Sequence, residues 1–127
     1  MSQPLILRRL PGQFAVYQLE PTAPLPGWAA VGEFFSITRT ADELSIVCNQ
    51  SLVSDGVRCE KGWRCLRVAG TMDFSMIGVV ASLATLLSEA GVSVFVVSTF
   101  DTDYLLVKES DLERAAAALR AAGHQVG

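Results

Sequence analysis

VSVFVVSTFDTDYLLVKESDLERAAAALRAAG, residues 92–123, sets two apolar strands around a polar turn and then switches to helical spacing. Val92–Val97 has the β-branched content of a buried strand, Ser98–Asp103 is a turn, and Tyr104–Val107 is the returning strand. Ser110-x-x-Glu113 has the form of a capping box, in which each side chain satisfies a backbone donor of the first turn. The helix it opens puts Leu112, Ala115, Ala116 and Leu119 on one face and stops at Gly123. Gln125-Val126 then adds a short edge strand. Upstream, Ile77–Ala90 carries Ile77, Val80, Ala81, Leu83, Ala84 and Leu87 at helical spacing, with Gly91 as its stop, and Arg64–Ala69 reads as a strand.

Residues 64–127 therefore run β-α-β-β-α-(β), the split βαβ order of ferredoxin-like α+β folds, with helices on one face of an antiparallel sheet. The first half is less regular. Phe14–Leu19, Glu33–Thr38 and Leu44–Cys48 read as strands, the last two joined by a hairpin turn at Arg39–Glu43. Pro21, Pro24, Pro26 and Gly27 limit the intervening segment to a short helical turn near Trp28–Val31. A second short turn is expected at Gln50–Val53, followed by loop up to residue 62. Aligned without a gap, FFSITRTADELSIV (34–47) matches VFVVSTFDTDYLLV (94–107): Phe35 with Phe95, Ile37 with Val97, Glu43 with Asp103, Val47 with Val107. The alignment predicts a duplication, two βαββαβ units in tandem: residues 1–62, divergent, and residues 63–127.

Composition excludes several classes. The chain has 127 residues and a net charge of −3, with no cationic run longer than Arg8-Arg9. That balance does not supply the basic face a nucleic-acid binder needs. Half of the residues are hydrophobic and the mean hydropathy is +0.37, so apolar surface must be covered within the fold or between copies. The longest apolar stretch, Met76–Leu87, is too short to span a bilayer, so no membrane contact is expected. Leu5-Ile6-Leu7 followed by Arg8-Arg9 has the reverse order of a signal peptide, and a cytoplasmic location is expected. Cys48, Cys59 and Cys65 form neither a disulfide framework nor a zinc pattern, and His124 is the single histidine; no metal and no cofactor are expected.

Two segments have the chemistry of a ligand site. In Gly70-Thr71-Met72-Asp73-Phe74-Ser75-Met76-Ile77-Gly78 a strand passes into a helix, presenting unpaired amides at a positive helix end suited to a carboxylate. Asp73 or Ser75 acting as the helix cap accounts for part of this pattern equally well. The turn Ser98–Asp103 groups hydroxyls, Phe100 and two carboxylates, and Asp103 is placed to accept from an ammonium or guanidinium group. Ordinary Asx-turn formation explains Asp101 and Asp103 without a ligand.

The stretch from Gly70 to Gly123, with D-F-S-x-x-G before the long helix and V-S-T-F-x-T-D-Y-x-L-V across the hairpin, resembles the ACT domain of small bacterial two-ACT proteins. Such proteins look related to the regulatory ACT domains of aspartokinase and to the animal CASTOR arginine sensors. The resemblance covers residues 64–126 strongly and 12–60 weakly. It implies a free amino acid bound at an ACT–ACT seam, with the loop contributing Met72, Asp73, Phe74, Ser75, Ile77 and Gly78 and the hairpin Thr99, Phe100 and Asp103. Arginine or lysine suits Asp103. The first unit lacks D-F-S-x-x-G, and the 127 residues contain no aspartokinase catalytic region, so the implied role is sensing, with a regulated enzyme as partner.

No Cys/His or Ser/His spacing suggests a nucleophile and base, so catalysis is not expected. The competing reading is a ligand-free interaction or dimerisation module of the same fold. Open sheet edges and the apolar excess predict a homo-oligomer. Light scattering at micromolar concentration is expected to return a multiple of the 13.6 kDa chain mass, and a monomer mass would count against it.

Overall fold

The structure, a computed structural model, describes residues 4–52, 56–69 and 78–127. It is a mixed α+β protein, with eight strands and two α-helices among the described residues: β1 Ile6–Arg9, β2 Phe14–Leu19, β3 Ser36–Arg39, β4 Leu44–Asn49, β5 Cys59–Val68, α1 Val79–Glu89, β6 Val94–Ser98, β7 Asp103–Lys108, α2 Leu112–Ala121 and β8 Gln125–Val126. Two compact units result, Met1–Pro11 with Arg64–Gly127, and Gly12–Trp63.

In the larger unit the strands lie in the order β6-β7-β5-β1-β8. A simple βαββαβ unit would pair its last strand with its first. Here β1, which the sequence reading left unassigned, is wedged between them, antiparallel to β5 and parallel to β8. The unit is therefore discontinuous in the chain. Leu7 explains the insertion: it is fully buried and packs with Leu66, Val68, Leu83, Leu87, Leu105 and Leu119. Burying one such side chain contributes about 2 kcal/mol. The buried His124 adds a pin, its Nδ1 accepting the Leu5 N–H at 3.0 Å.

Both α-helices end as the glycines predict. Gly91 N–H bonds to the Ser88 carbonyl and Val92 N–H to Leu87, while Gly123 bonds to Arg120 and His124 to Leu119. This double closure needs a left-handed residue after the cap, and Gly91 (φ 77°) and Gly123 (φ 98°) supply it. The starts differ from expectation. Among the described residues α1 begins at Val79, with Gly78 as its N-cap, and Ile77 lies outside them. The capping box of Ser110 and Glu113 does not form: a 3-10 turn at Glu109–Asp111 precedes α2, the cap residue becomes Asp111, and the Leu112 N–H is taken by the Glu109 carbonyl.

The smaller unit has the strand order β3-β4-β2-β5, that of a split βαβ, but no α-helix among its described residues. Single 3-10 turns, Gly27–Ala30 and Gln50–Leu52, stand where the helices of a βαββαβ unit would be. Pro21, Pro24 and Pro26 remove the backbone donors a longer helix would require. Cover for the sheet comes from the turn itself: Ala29 is fully buried, and Trp28 lies 5.3 Å from the Tyr17 ring. Arg39 holds the proline-rich segment by donating to the carbonyls of Pro21 and Ala23. β5 also starts five residues earlier than expected, because 59–63 pairs with β2.

The two hairpins match each other one residue out of the ungapped register. In the first, Arg39 pairs with Leu44 and Thr40 N–H bonds to the Glu43 carbonyl. In the second, Ser98 pairs with Asp103 and Thr99 N–H bonds to Thr102. Thr40 thus corresponds to Thr99 rather than Phe100, and Leu44 to Asp103 rather than Tyr104. In this register β4 and β7 share one burial sequence, and a 3-10 turn follows each.

Burial raises the Cys48 thiol to about 11 and the Cys65 thiol to about 12, and with nearby Cys48 and Cys59 it raises the Tyr17 phenol to about 12. Each folded value lies above the ordinary one, so the neutral forms favour folding below about pH 9, and that contribution is lost as pH rises towards 11–12. Thermal melts are expected to hold steady from pH 7 to about 9 and to fall steeply above it. A thiol reagent at pH 8 should titrate Cys48 and Cys65 only after denaturation.

Candidate functional site

The hairpin β6–β7 is built to hold a carboxylate at the margin of the core. Asp103 opens β7 on the face that continues through Leu105 and Val107, both fully buried. Asp103 is itself 8% exposed, and its equivalent in the first hairpin, Leu44, is 0% exposed. One hairpin places an aliphatic side chain there and the other a carboxylate. The Ser98 hydroxyl donates to Asp103 Oδ1 at 2.6 Å. No cationic side chain pairs with this carboxylate among the described residues.

Below the carboxylate the turn is self-braced. Thr99 Oγ1 donates to the Thr102 carbonyl at 3.1 Å and accepts the Thr102 N–H at 3.3 Å. Thr102, buried, turns its hydroxyl to the Val68 carbonyl at 2.6 Å. This bond fixes the hairpin against the end of β5, two residues before the segment that leads to α1. Phe100 projects from the tip and is 81% exposed.

At the other end of that segment, Gly78 adopts φ 77° and ψ 10°, and α1 has no side-chain cap and no acidic residue in its first turn. A Cβ on Gly78 would meet nothing within 4 Å, so the left-handed backbone, not close packing, calls for glycine.

Of the residues expected to bind a ligand, Gly78, Thr99, Phe100 and Asp103 are described. Met72, Asp73, Phe74, Ser75 and Ile77 lie outside the described residues. Thr99 serves as a turn brace, and Asp103 stands at the core margin. Sequence reasoning missed the roles of Ser98 and Thr102. Aligning Asp103 with Leu44 would have exposed the first, since a charge in a leucine position needs a partner. Among the described residues no three His, Cys, Asp or Glu side chains gather to hold a metal, and no helix is long and apolar enough to cross a membrane.

A family model described as "ACT domain" matches residues 58–121, half of the chain. The chain belongs to the ACT domain family. A second family model, described as an N-terminal domain, matches residues 12–56. A crystal structure of an Agobacterium tumefaciens protein is 42% identical, with a TM-score of 0.94, covering 99% of this chain and 94% of that one. The regulatory subunit of aspartate kinase from Thermus thermophilus, in its ligand-free form, shares the fold at a TM-score of 0.65 and 10% identity, covering 92% of this ACT protein and 96% of that chain. Aspartate kinase of Clostridium acetobutylicum matches at 0.66 and 15% identity, covering 93% of this chain but 33% of the enzyme. No curated protein matches.

Thr102→Val is expected to leave the Val68 carbonyl unpaired while keeping the β-branched shape, a loss of about 1 kcal/mol. A urea titration followed by circular dichroism checks this, and an unchanged midpoint would remove Thr102 as the hairpin's anchor.

Proposed function

We propose that this ACT protein is a non-catalytic regulatory module that binds a free amino acid. The observation that carries the reading is Asp103, a carboxylate in a leucine position, met by one neutral hydroxyl among the described residues. A buried charge without a cation is costly, and a ligand ammonium or guanidinium group supplies one. The leading amides of α1, uncapped by any side chain, offer a receptor for the ligand carboxylate, with Met72, Asp73, Phe74, Ser75, Ile77 and Gly78 forming the segment around it. Thr99 and Phe100 line the hairpin side. A second ACT unit supplies the opposite wall as a seam, and Gly12–Trp63 is a divergent ACT unit. Arginine and lysine are the preferred ligands, and a regulated enzyme is the partner.

A thermal-shift screen of the common amino acids tests this, since a ligand that binds only the folded state raises the melting temperature. Arginine or lysine is expected to give the largest rise. Asp103→Leu, which copies the internal repeat, is expected to raise the melting temperature of the free protein and to abolish the ligand response. If no amino acid shifts the melt, the binding proposal fails and the module acts through protein contacts alone.

A further inference from the structure

On the face turned to the helices, the β6–β7 hairpin is a ladder of facing pairs: Val94 with Val107, Val96 with Leu105, and Ser98 with Asp103. The first two rungs are apolar and pack into the core, and the third is polar. The corresponding last rung of the other hairpin is Arg39 opposite Leu44. There the guanidinium faces no carboxylate across the ladder and donates to the carbonyls of Pro21 and Ala23. An arginine opposite Asp103 would meet its charge within the fold. A serine meets it with one neutral hydroxyl.

That contact is directional. Ser98 donates to Oδ1 at 2.6 Å, a short charge-assisted bond, and Oδ2 accepts no bond among the described residues. One carboxylate oxygen is thereby engaged and the plane of the group is held. The two cations that an amino-acid side chain can present respond differently to this. A guanidinium gains most from a carboxylate with both oxygens available, since its planar fork makes two parallel bonds. An ammonium is a compact charge with three rotatable donors, and a single oxygen serves it. With Oδ1 engaged, a second short bond to that oxygen competes with the serine's. The guanidinium then forfeits its second bond and the ammonium forfeits nothing.

We propose that Ser98 sets the selectivity of the amino-acid site, turning Asp103 towards a side-chain ammonium and away from a guanidinium. The inference rests on the amino-acid-binding reading of Asp103 and narrows it. Thr99 and Thr102 are engaged within the turn and with the Val68 carbonyl, whereas the Ser98 hydroxyl is the one directed at the carboxylate.

Isothermal titration of the full chain with L-lysine and with L-arginine tests this, with L-norleucine, which lacks the side-chain ammonium, as the control. Wild type is expected to bind lysine about tenfold more tightly than arginine, the scale of one charged hydrogen bond, and norleucine more weakly than lysine. In Ser98→Ala, arginine is expected to gain about tenfold relative to lysine. Ser98→Thr keeps the hydroxyl and is expected to keep the wild-type ratio. A serine that merely braced the hairpin would weaken both ligands equally and leave the ratio unmoved. Arginine bound as tightly as lysine by wild type, norleucine bound as tightly as lysine, or an unchanged ratio in Ser98→Ala would overturn the inference while leaving amino-acid binding in place. Should Ser98→Ala not fold, the wild-type ratio and Ser98→Thr decide the matter. Binding of none of the three by wild type would also overturn it, and the thermal-shift screen of all the common amino acids then judges the binding reading separately.

Discussion

Leu7 sits at the centre of a sheet whose neighbouring strands come from the far end of the chain, with β5 on one side and β8 on the other. Without β1 the two residues of β8 would have no strand to join, and the cluster under α1 and α2 would lose a fully buried leucine. The parallel pairing of β1 with β8 ties the two ends of the sequence together, and the His124–Leu5 bond reinforces it. A contact over so long a loop is closed at an entropic cost that grows slowly with length, and apolar burial at Leu7 and Val126 offsets it. Everything on the helix-covered face, including the hairpin carrying Asp103, is positioned by this sheet.

The two hairpins show how one local design serves two ends. Each is closed by a threonine that accepts backbone amides across the turn, Thr40 from Asp42 and Glu43, Thr99 from Thr102. Each strand that leaves the turn then follows the same alternation of buried and half-buried positions. The difference is concentrated at the first strand residue. Leu44 completes a small core with Tyr17, Ile46 and Cys48, whereas Asp103 keeps a charge beside a much larger core. A larger core tolerates that cost, because its stability comes from many buried side chains and two helices.

The same division explains the helices. The smaller unit buries Ala15, Tyr17 and Ile46 under a single 3-10 turn and the Arg39 clamp, so it needs little chain to cover a narrow face. The larger unit has a wider apolar face and covers it with α1 and α2, which supply Leu83, Leu87, Leu112 and Leu119. Its opposite face carries Arg8 across from Arg67 and, further along, the fully buried Leu106.

Much of this was legible in the amino-acid order. Periodicity identified both helices and the strands of residues 92–107, glycines marked the two helix ends, and prolines forecast the loss of a helix after β2. Those are local properties, set by backbone sterics and by side chains a few residues apart. The mutual register of the two hairpins, the failure of the capping box at Ser110, the burial of Asp103 and the place of β1 were decided only in three dimensions. A short hairpin turn fixes register through hydrogen bonds that residue types alone do not specify. Ile6–Arg9 is too short to announce itself as a strand, and only the apolar gap between β5 and β8 gives Leu7 its place.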